Sequence, residues 1–274
     1  MIHRLTQILV FLTLLLLLAG GLVTSTDSGL AVPDWPLSYG SLMPPLVGGI
    51  RFEHTHRVLA ASVGFLMLVL TLWIGRTERS KAIRWLAISA FGAVVLQGIL
   101  GGLTVLHRLP APISMAHACL GPIFFSLVVS LAEVTGPEGR RVGPAPVPYL
   151  SIIPLVFLQI LLGAVVRHTG RWIWVHILWA FVVLAGTGVL VRHSFTKFGV
   201  NPGVLRLALL LGILVVAEFF LGVGAFVFTQ IEGIPAGLGR VIFPTLHQTL
   251  GAAILATSVL IGLRPARARE GAFA

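Results

Sequence analysis

The chain has 274 residues, of which 57% are hydrophobic and only 10% are charged. Its mean hydropathy of +1.00 leaves too few polar side chains to cover a globular surface in water, which excludes a soluble domain. The formal net charge is +10. The basic residues stand in short segments between apolar runs, not in a solvated cluster with aromatics, and this excludes a nucleic-acid-binding protein.

Eight apolar runs follow one another along the chain, each close to the ~20 residues that a helix needs to cross a bilayer. They span roughly 6–23, 58–75, 85–106, 112–132, 147–166, 172–191, 207–229 and 241–263. The second run is expected to begin earlier, near Phe52. Because lipid cannot satisfy backbone polar groups and the runs lack the alternation of barrel strands, we predict eight transmembrane helices. The first run resembles a signal peptide, but its Gly20-Gly21 step recurs later in the chain, so we expect it to be retained.

Lysine and arginine are unevenly distributed over the loops. With the N-terminus inside, thirteen lie on the inner side, namely Arg4, Arg76, Arg79, Lys81, Arg84, Arg140, Arg141, Arg192, Lys197, Arg206, Arg264, Arg267 and Arg269. Six lie on the outer side, namely Arg51, Arg57, Arg108, Arg167, Arg171 and Arg240. Short cytoplasmic loops carry the excess of positive charge. We therefore predict a multi-pass protein of a bacterial-type plasma membrane with both termini in the cytoplasm.

An internal repeat divides the chain into two halves. Leu100-Gly101, Leu162-Gly163 and Leu221-Gly222 each follow a polar residue by three positions, and these residues are Gln97, Gln159 and Glu218. Small residues of this kind let helices approach closely in lipid. The sequence predicts an all-α integral membrane protein whose eight transmembrane helices form two pseudo-symmetric four-helix bundles. The halves are residues 1–140 and 141–274, related by an axis along the membrane normal.

One histidine lies on each even-numbered span: His56, His117, His176 and His247. All four spans run from outside to inside, which places the histidines at a common depth of roughly 7–10 Å below the outer end. Intramembrane ionisable groups tend to mark function, and a pair of imidazoles on facing helices suits haem iron. Two pairs predict two haem sites. Zinc is disfavoured because each half offers two histidines and few carboxylates or thiols. His54, His107 and His168 lie at or beyond the outer boundary and are expected at the surface.

The two halves differ beside their first histidine. Glu53 precedes His56 by three residues on one helix face, whereas Ile173 precedes His176. A carboxylate at a water-exposed mouth could move protons or position a substrate atom. The N-terminal half is therefore predicted to carry the chemistry, and the C-terminal half a fixed haem.

Two further charged groups have open interpretations. Arg57 either pairs with a haem propionate or is an arginine of the membrane interface, and the same two possibilities apply to Arg108, Arg167, Arg171 and Arg240. Glu218, near mid-membrane, is expected to be protonated or hydrogen-bonded across helices.

The outer loop after the first span reads Thr26-Asp27-Ser28-Gly29-Leu30 and then Pro33-Asp34-Trp35-Pro36-Leu37. Together with Glu53-x-x-His56-Arg57 and the Gln97-Gly98-x-Leu100-Gly101-Gly102 segment, this loop resembles the haem A synthase family over nearly the whole chain. Many bacterial members carry a cysteine pair in this loop, one directly after the tryptophan-proline-leucine. Here Ser38 takes that place and no cysteine precedes it in the loop.

The resemblance implies an enzyme that oxidises a ring methyl of haem O to the formyl of haem A. It implies that His56 and His117 attend the iron of the substrate haem O, with Glu53 as the important carboxylate. His176 and His247 are implied to be the axial ligands of a haem b cofactor. It further implies partners in cytochrome oxidase assembly, including the prenyltransferase that makes haem O.

Other functions remain open at this point. A di-haem electron-transfer cytochrome acting with quinone would share the fold and the ligands, and a haem transporter or chaperone would bind haem without oxidising it. A prenyltransferase is disfavoured because Asp27 and Asp34 are the only aspartates available for magnesium and diphosphate. The sequence leaves open the electron donor and whether the chain forms a homo-oligomer.

Overall fold

Helices make up most of the chain that the computed structural model describes, which is residues 1–136, 147–196, 202–235 and 237–264. They are α1 (Ile2–Ser25), α2 (Ile50–Thr77), α3 (Lys81–Leu106), α4 (Ala111–Thr135), α5 (Val147–Leu150), α6 (Ile152–Thr169), α7 (Ile173–Thr196), α8 (Pro202–Gln230) and α9 (Gly239–Leu263). All except the four-residue α5 are long and apolar enough to cross a membrane. The prediction of an all-α protein with eight transmembrane helices is confirmed.

The helix boundaries follow local sequence. The second span begins at Ile50, earlier even than the expected start near Phe52, because the polar segment around Glu53 is itself helical. The fifth predicted run is divided into α5 and α6 at Ser151. Pro154 has no backbone N–H to donate to the carbonyl of Leu150, so a continuous helix would lose a hydrogen bond at this place.

Each half of the chain forms a ring of four helices. In the first half, neighbours in sequence contact each other and α1 closes the ring against α4; in the second half, α6 through α9 repeat this pattern and α6 contacts α9. The halves meet where α1 and α4 contact α9 and where α4 contacts α6. Accordingly α4 and α9 are the most buried spans. In the apolar stretch of each span, 50% and 44% of the residues are buried, against 22% or less in the other spans. This adjacency is compatible with two pseudo-symmetric bundles, and the axis relating them stays a prediction.

The apolar interior is divided in the same way. One core lies among the helices of the first half and includes Met67 and Phe124, and a second lies in the other half and includes Leu211 and Ile261. A smaller cluster around Phe125 joins α4 to α9. Each half therefore has its own core in addition to the interface.

Several predicted features lie outside the described residues. These are the inner-side charges Arg140, Arg141, Lys197, Arg267 and Arg269 and the expected boundary between residues 140 and 141.

Candidate haem sites and the outer loop

Each of the four predicted histidines packs its ring directly on a glycine of the preceding transmembrane helix. A Cβ atom added to the glycine would lie only 3.0–3.1 Å from Cε1 of the ring. The pairs are Gly20 with His56, Gly101 with His117, Gly163 with His176, and Gly222 with His247. We call each such glycine a histidine seat. The seats fix where each ring lies relative to its neighbouring helix, in the same way in both halves.

The residue four positions before each seat supplies a backbone carbonyl to the same ring. Nδ1 of His117 lies 3.2 Å from the Gln97 carbonyl oxygen. The equivalent carbonyls that interact with the other rings belong to Leu16, Gln159 and Glu218. Nδ1 of His56, of His176 and of His247 is buried without a full hydrogen bond among the described residues. A carbonyl beside Nδ1 is the usual environment of a metal-binding histidine, because it leaves Nε2 as the ligand nitrogen.

The C-terminal pair meets inside the second bundle. The ring centroids of His176 and His247 are 6.1 Å apart and the ring planes are nearly perpendicular, at 88°. Metal–imidazole bonds of about 2 Å on opposite sides of an ion would put the two centroids roughly 6 Å apart. The observed separation matches this distance, and the assignment of the two histidines as iron ligands stays a prediction.

A cavity of about 390 Å³ adjoins this pair, a volume within the usual range of roughly 300–1,000 Å³ for a ligand pocket. Its polar lining includes Gln159, Arg167, His168, His176, Glu218 and His247. The cavity also reaches Ala118 and Pro122 of α4, so it borders the first half. His168 lines this cavity and is half-buried in the last turn of α6, between the exposed residues Arg167 and Thr169.

Polar side chains beside the histidines differ from one seat to the next. Gln97 donates from Nε2 to the carbonyl of His117 at 2.9 Å, and Gln159 Nε2 lies 3.4 Å from His176 Nε2. Glu218 Oε1 lies 3.1 Å from His247 Nδ1 on the neighbouring helix α9. This contact lacks the geometry of a full hydrogen bond, so protonation or hydrogen bonding of Glu218 across helices stays a prediction.

The N-terminal pair lies beneath the outer loop. His56 and His117 are close enough to interact electrostatically. Glu53, three residues before His56, is only 3% exposed, and so it does not stand at the water-exposed mouth that we expected. Its Oε2 accepts a hydrogen bond from the Val32 N–H at 2.8 Å, and its Oε1 accepts one from Arg57 Nη2 at 2.5 Å. The outer loop covers the Glu53 carboxylate because the Val32 N–H of the loop is hydrogen-bonded to it.

Arg57 fastens the loop at several points. Its Nη1 donates to the carbonyls of Asp34 at 2.7 Å and Leu37 at 2.6 Å, and its Nη2 reaches the Val32 carbonyl at 3.3 Å. The guanidinium therefore lies under the loop and is not free at the membrane interface. Pairing of Arg57 with a haem propionate stays a prediction.

The loop itself is organised around Asp34. The two oxygens of its carboxylate accept the N–H groups of Tyr39 at 2.7 Å and Gly40 at 2.8 Å, and these bonds lower the pKa of Asp34 below its usual value. Trp35 packs its ring on Gly102, where an added Cβ would lie 2.7 Å from Trp35 Cδ2. Gly102 is next to the seat of His117. Trp35 therefore holds the loop against the segment of α3 that carries the seat of His117.

Ser38 occupies the position where many bacterial relatives of this kind carry a cysteine. Its side chain is 1% exposed, and its Oγ lies 3.0 Å from Nδ1 of His54. A hydrogen bond to α2 thus fixes the loop at this place.

Residues 3–47 and 50–173, more than half of the chain, match the family described as cytochrome oxidase assembly protein, COX15-CtaA. The chain belongs to this family. The match to the cytochrome oxidase assembly protein family includes Glu53, His56 and His117 and ends before His176. The resemblance to the haem A synthase family is confirmed, over residues 3–47 and 50–173 of the chain.

Curated relatives named heme A synthase show the same similarity. The protein of Exiguobacterium sibiricum is 33% identical over 170 residues, which are 58% of this chain and 57% of the relative. That of Symbiobacterium thermophilum is 33% identical over 172 residues, 57% of this chain and 56% of the relative. That of Bacillus licheniformis is 30% identical over 170 residues, 57% and 55%. The chain spans little more than half the length of the relatives it matches.

Two features of the site were not predicted from sequence. The sequence predicts that the repeated glycines let helices approach each other. It does not show that one glycine of each repeat contacts a histidine ring. The spacing carries a signal, since each seat and its histidine lie on consecutive antiparallel helices near the same membrane face. Trp35 belongs to the outer-loop motif, but nothing in the sequence indicates that it packs on Gly102.

Proposed function

We propose that this protein is a haem A synthase, which oxidises one ring methyl of haem O to a formyl group. This is a four-electron oxidation of one carbon, and the electrons pass to an external acceptor when the oxygen atom comes from water. Membership of the cytochrome oxidase assembly family and the names of the curated relatives support this activity. Nothing in these comparisons favours an electron-transfer cytochrome.

The histidine pair of the N-terminal half is the main support for this proposal. The family match includes its histidine pair, and that pair rests on seats of the same geometry as the C-terminal one. We assign His56 and His117 to the iron of substrate haem O. In this proposal, packing of Trp35 on Gly102 holds the outer loop beside the seat of His117.

Glu53 is the proposed catalytic group. It lies one helical turn from His56, and its charge is balanced by Arg57. Oε1 and Oε2 each accept one hydrogen bond, and each oxygen keeps a second lone pair that can take a proton. Arg57 adds positive charge at the end of the site that would receive the propionates.

The C-terminal half is assigned a structural and redox function. We propose that His176 and His247 are the axial ligands of a haem b cofactor, which supplies a one-electron redox centre within the membrane. Their 6.1 Å centroid separation and the adjoining cavity support this assignment. The enzyme would lie in a bacterial-type plasma membrane with cytoplasmic termini, receiving haem O from a prenyltransferase and supplying cytochrome oxidase assembly.

Haem extraction tests the proposed activity. The protein is co-expressed with a haem O source, and the extracted haems are separated and identified by mass spectrometry. We expect haem A in cells with the parent chain and none in cells with His56→Ala or His117→Ala. A parent chain that accumulates haem b and haem O without haem A would contradict the proposal and indicate a haem-binding cytochrome.

A further inference from the structure

One of the four residues that lie a turn before the histidine seats is unlike the others. These residues are Leu16, Gln97, Gln159 and Glu218, and only the last is ionisable. Glu218 lies in the middle of α8, where a charged group without a partner would be costly. The second bundle therefore has a carboxyl group beside His247, whereas the equivalent positions beside the other three histidines have none.

The Glu218 carboxylate is directed at the back of the His247 ring. Oε1 lies 3.1 Å from Nδ1, and the two side chains are 19% and 24% exposed. Oε2 is buried and forms no hydrogen bond among the described residues. The ring nitrogen nearest the carboxylate is thus the one that a ligand histidine leaves free for a donor–acceptor contact.

The neighbouring helix makes room for this contact. Gly251, one turn after His247 on α9, has no side chain, and a Cβ placed there would lie 3.1 Å from Glu218 Oε1. In the first bundle Gly121 stands one turn after His117, but there the adjacent group is the Gln97 amide, whose nitrogen would lie 3.3 Å from such a Cβ. The two bundles therefore share the same recess, filled by an amide in one and by an acid in the other.

We propose that Glu218 is a positioning residue for His247, accepting its Nδ1–H and thereby lowering the reduction potential of the haem held by His176 and His247. A ligand histidine that donates to a carboxylate is fixed in tautomer and orientation and is a stronger electron donor to its metal. Stronger donation favours the ferric over the ferrous state. The inference rests on the proposed haem site, and it assigns to Glu218 no contact with substrate.

The experiment compares Glu218→Gln with the parent in purified, haem-loaded protein. Glutamine has nearly the same shape and can still accept the Nδ1–H through a neutral oxygen, so haem content should stay near the parental value. We expect a more positive midpoint potential and an altered ferric electron paramagnetic resonance spectrum. Glu133→Gln is the matched control, because it removes a carboxylate bound to Arg264 near the inner end of α4. It should leave both readouts unchanged.

The outcomes separate this inference from the proposed haem site. A parent protein that lacks a low-spin haem, or that keeps it after His176→Ala and His247→Ala, overturns the haem site itself. If that haem is present and Glu218→Gln leaves the potential and spectrum at parental values, only the function of Glu218 is overturned. If Glu218→Gln binds no haem, Glu218→Asp decides. Haem restored by the aspartate supports the inference, and a folded, haem-free aspartate variant reduces the position to packing and contradicts it.

Discussion

A methyl group added to a glycine that seats a histidine ring would force the ring to move by a few tenths of an ångström. Four such contacts recur in this chain, and in each the ring edge lies at the same distance from the glycine. Overpacking of a well-filled interior typically costs about 1–3 kcal/mol and shifts side chains from their rotamers. At a seat, the side chain that must shift is the proposed iron ligand. Haem binding should therefore be more sensitive than folding to a change of the glycine.

The seat of His176 offers a direct test. Gly163→Ala should reduce low-spin haem in the purified protein, because the added methyl displaces the ring from its position opposite His247. Gly188→Ala on α7 is the matched control, since nothing lies within 4 Å of a Cβ at that position. Absorption spectra and haem-to-protein ratios measure the effect. Equal haem content in the two variants would show that the ring accommodates the methyl group.

Glu53→Gln tests the catalytic assignment. Glutamine preserves volume and helix propensity but cannot exchange protons as a carboxylate does. General acid–base groups typically contribute about 10²–10⁴-fold, so haem A formation should fall by such a factor while the C-terminal haem is retained. Quantification of extracted haem A against total haem measures this.

The amide also replaces one acceptor of the loop by a donor, so a control for loop position is needed. Asp34→Asn weakens the loop at Tyr39 and Gly40 and leaves the Glu53 carboxylate and its contact with Arg57 in place. We expect a smaller loss of haem A than with Glu53→Gln. Equal losses in the two variants would show that Glu53 acts by holding the loop.

The sequence sufficed to predict the four histidines, because their repetition in both halves is visible in the letters themselves. It could not predict how Glu53 is buried. A carboxylate at the start of a span is compatible with a water-exposed mouth until one knows that the preceding loop folds back over it. The contact between Glu218 and His247 was partly foreseen, since mid-membrane burial requires a partner, but the identity of that partner depends on the relative rotation of α8 and α9.

Among the elements, the outer loop between α1 and α2 is the least regular and yet well ordered by hydrogen bonds. The loop motif around Trp35 and the α2 motif around Glu53 form one structural unit, because Arg57 on α2 binds carbonyls on both sides of the tryptophan. The transmembrane helices were predictable from apolar length alone. The loop was not, since its conformation depends on side chain–backbone contacts that have no periodicity.

The carboxylate of Asp34 predicts a pH dependence for this loop. Its pKa is lowered below 3.8 by the N–H groups of Gly40 and Tyr39, so the carboxylate stabilises the loop above that pH and loses this effect as the pH falls through the folded-state pKa. We expect the fluorescence of Trp35 to be constant from pH 8 to about 5 and to change only under more acid conditions. Asp34→Asn should show the changed signal at neutral pH. A parent signal that titrates near neutrality would contradict this origin.

At the scale of the whole molecule, the two rings of helices meet along α4 and α9, with Glu133 on α4 paired to Arg264 after α9 at 3.1 Å. The repeat in the sequence predicts two four-helix halves, and the helix contacts are compatible with them. It was insufficient to predict their interface, because apolar residues that face lipid and apolar residues that face another helix look alike in a span.

Topology is testable at this scale. Thirteen of the nineteen lysines and arginines lie on the side that we assign to the cytoplasm, and we therefore expect both termini there. Alkaline phosphatase and green fluorescent protein fusions at each terminus report the side directly. Activity of the phosphatase at either terminus would reverse the orientation and would place all four histidines near the cytoplasmic face.

Every histidine seat joins two helices that are consecutive in the chain, α1 with α2, α3 with α4, α6 with α7, and α8 with α9. Each helical hairpin thus contains one proposed ligand together with its seat. In each proposed pair, the second histidine comes from a different hairpin. A haem between His176 and His247 would therefore staple two hairpins together, so that loading of the cofactor becomes the last step in the assembly of that bundle.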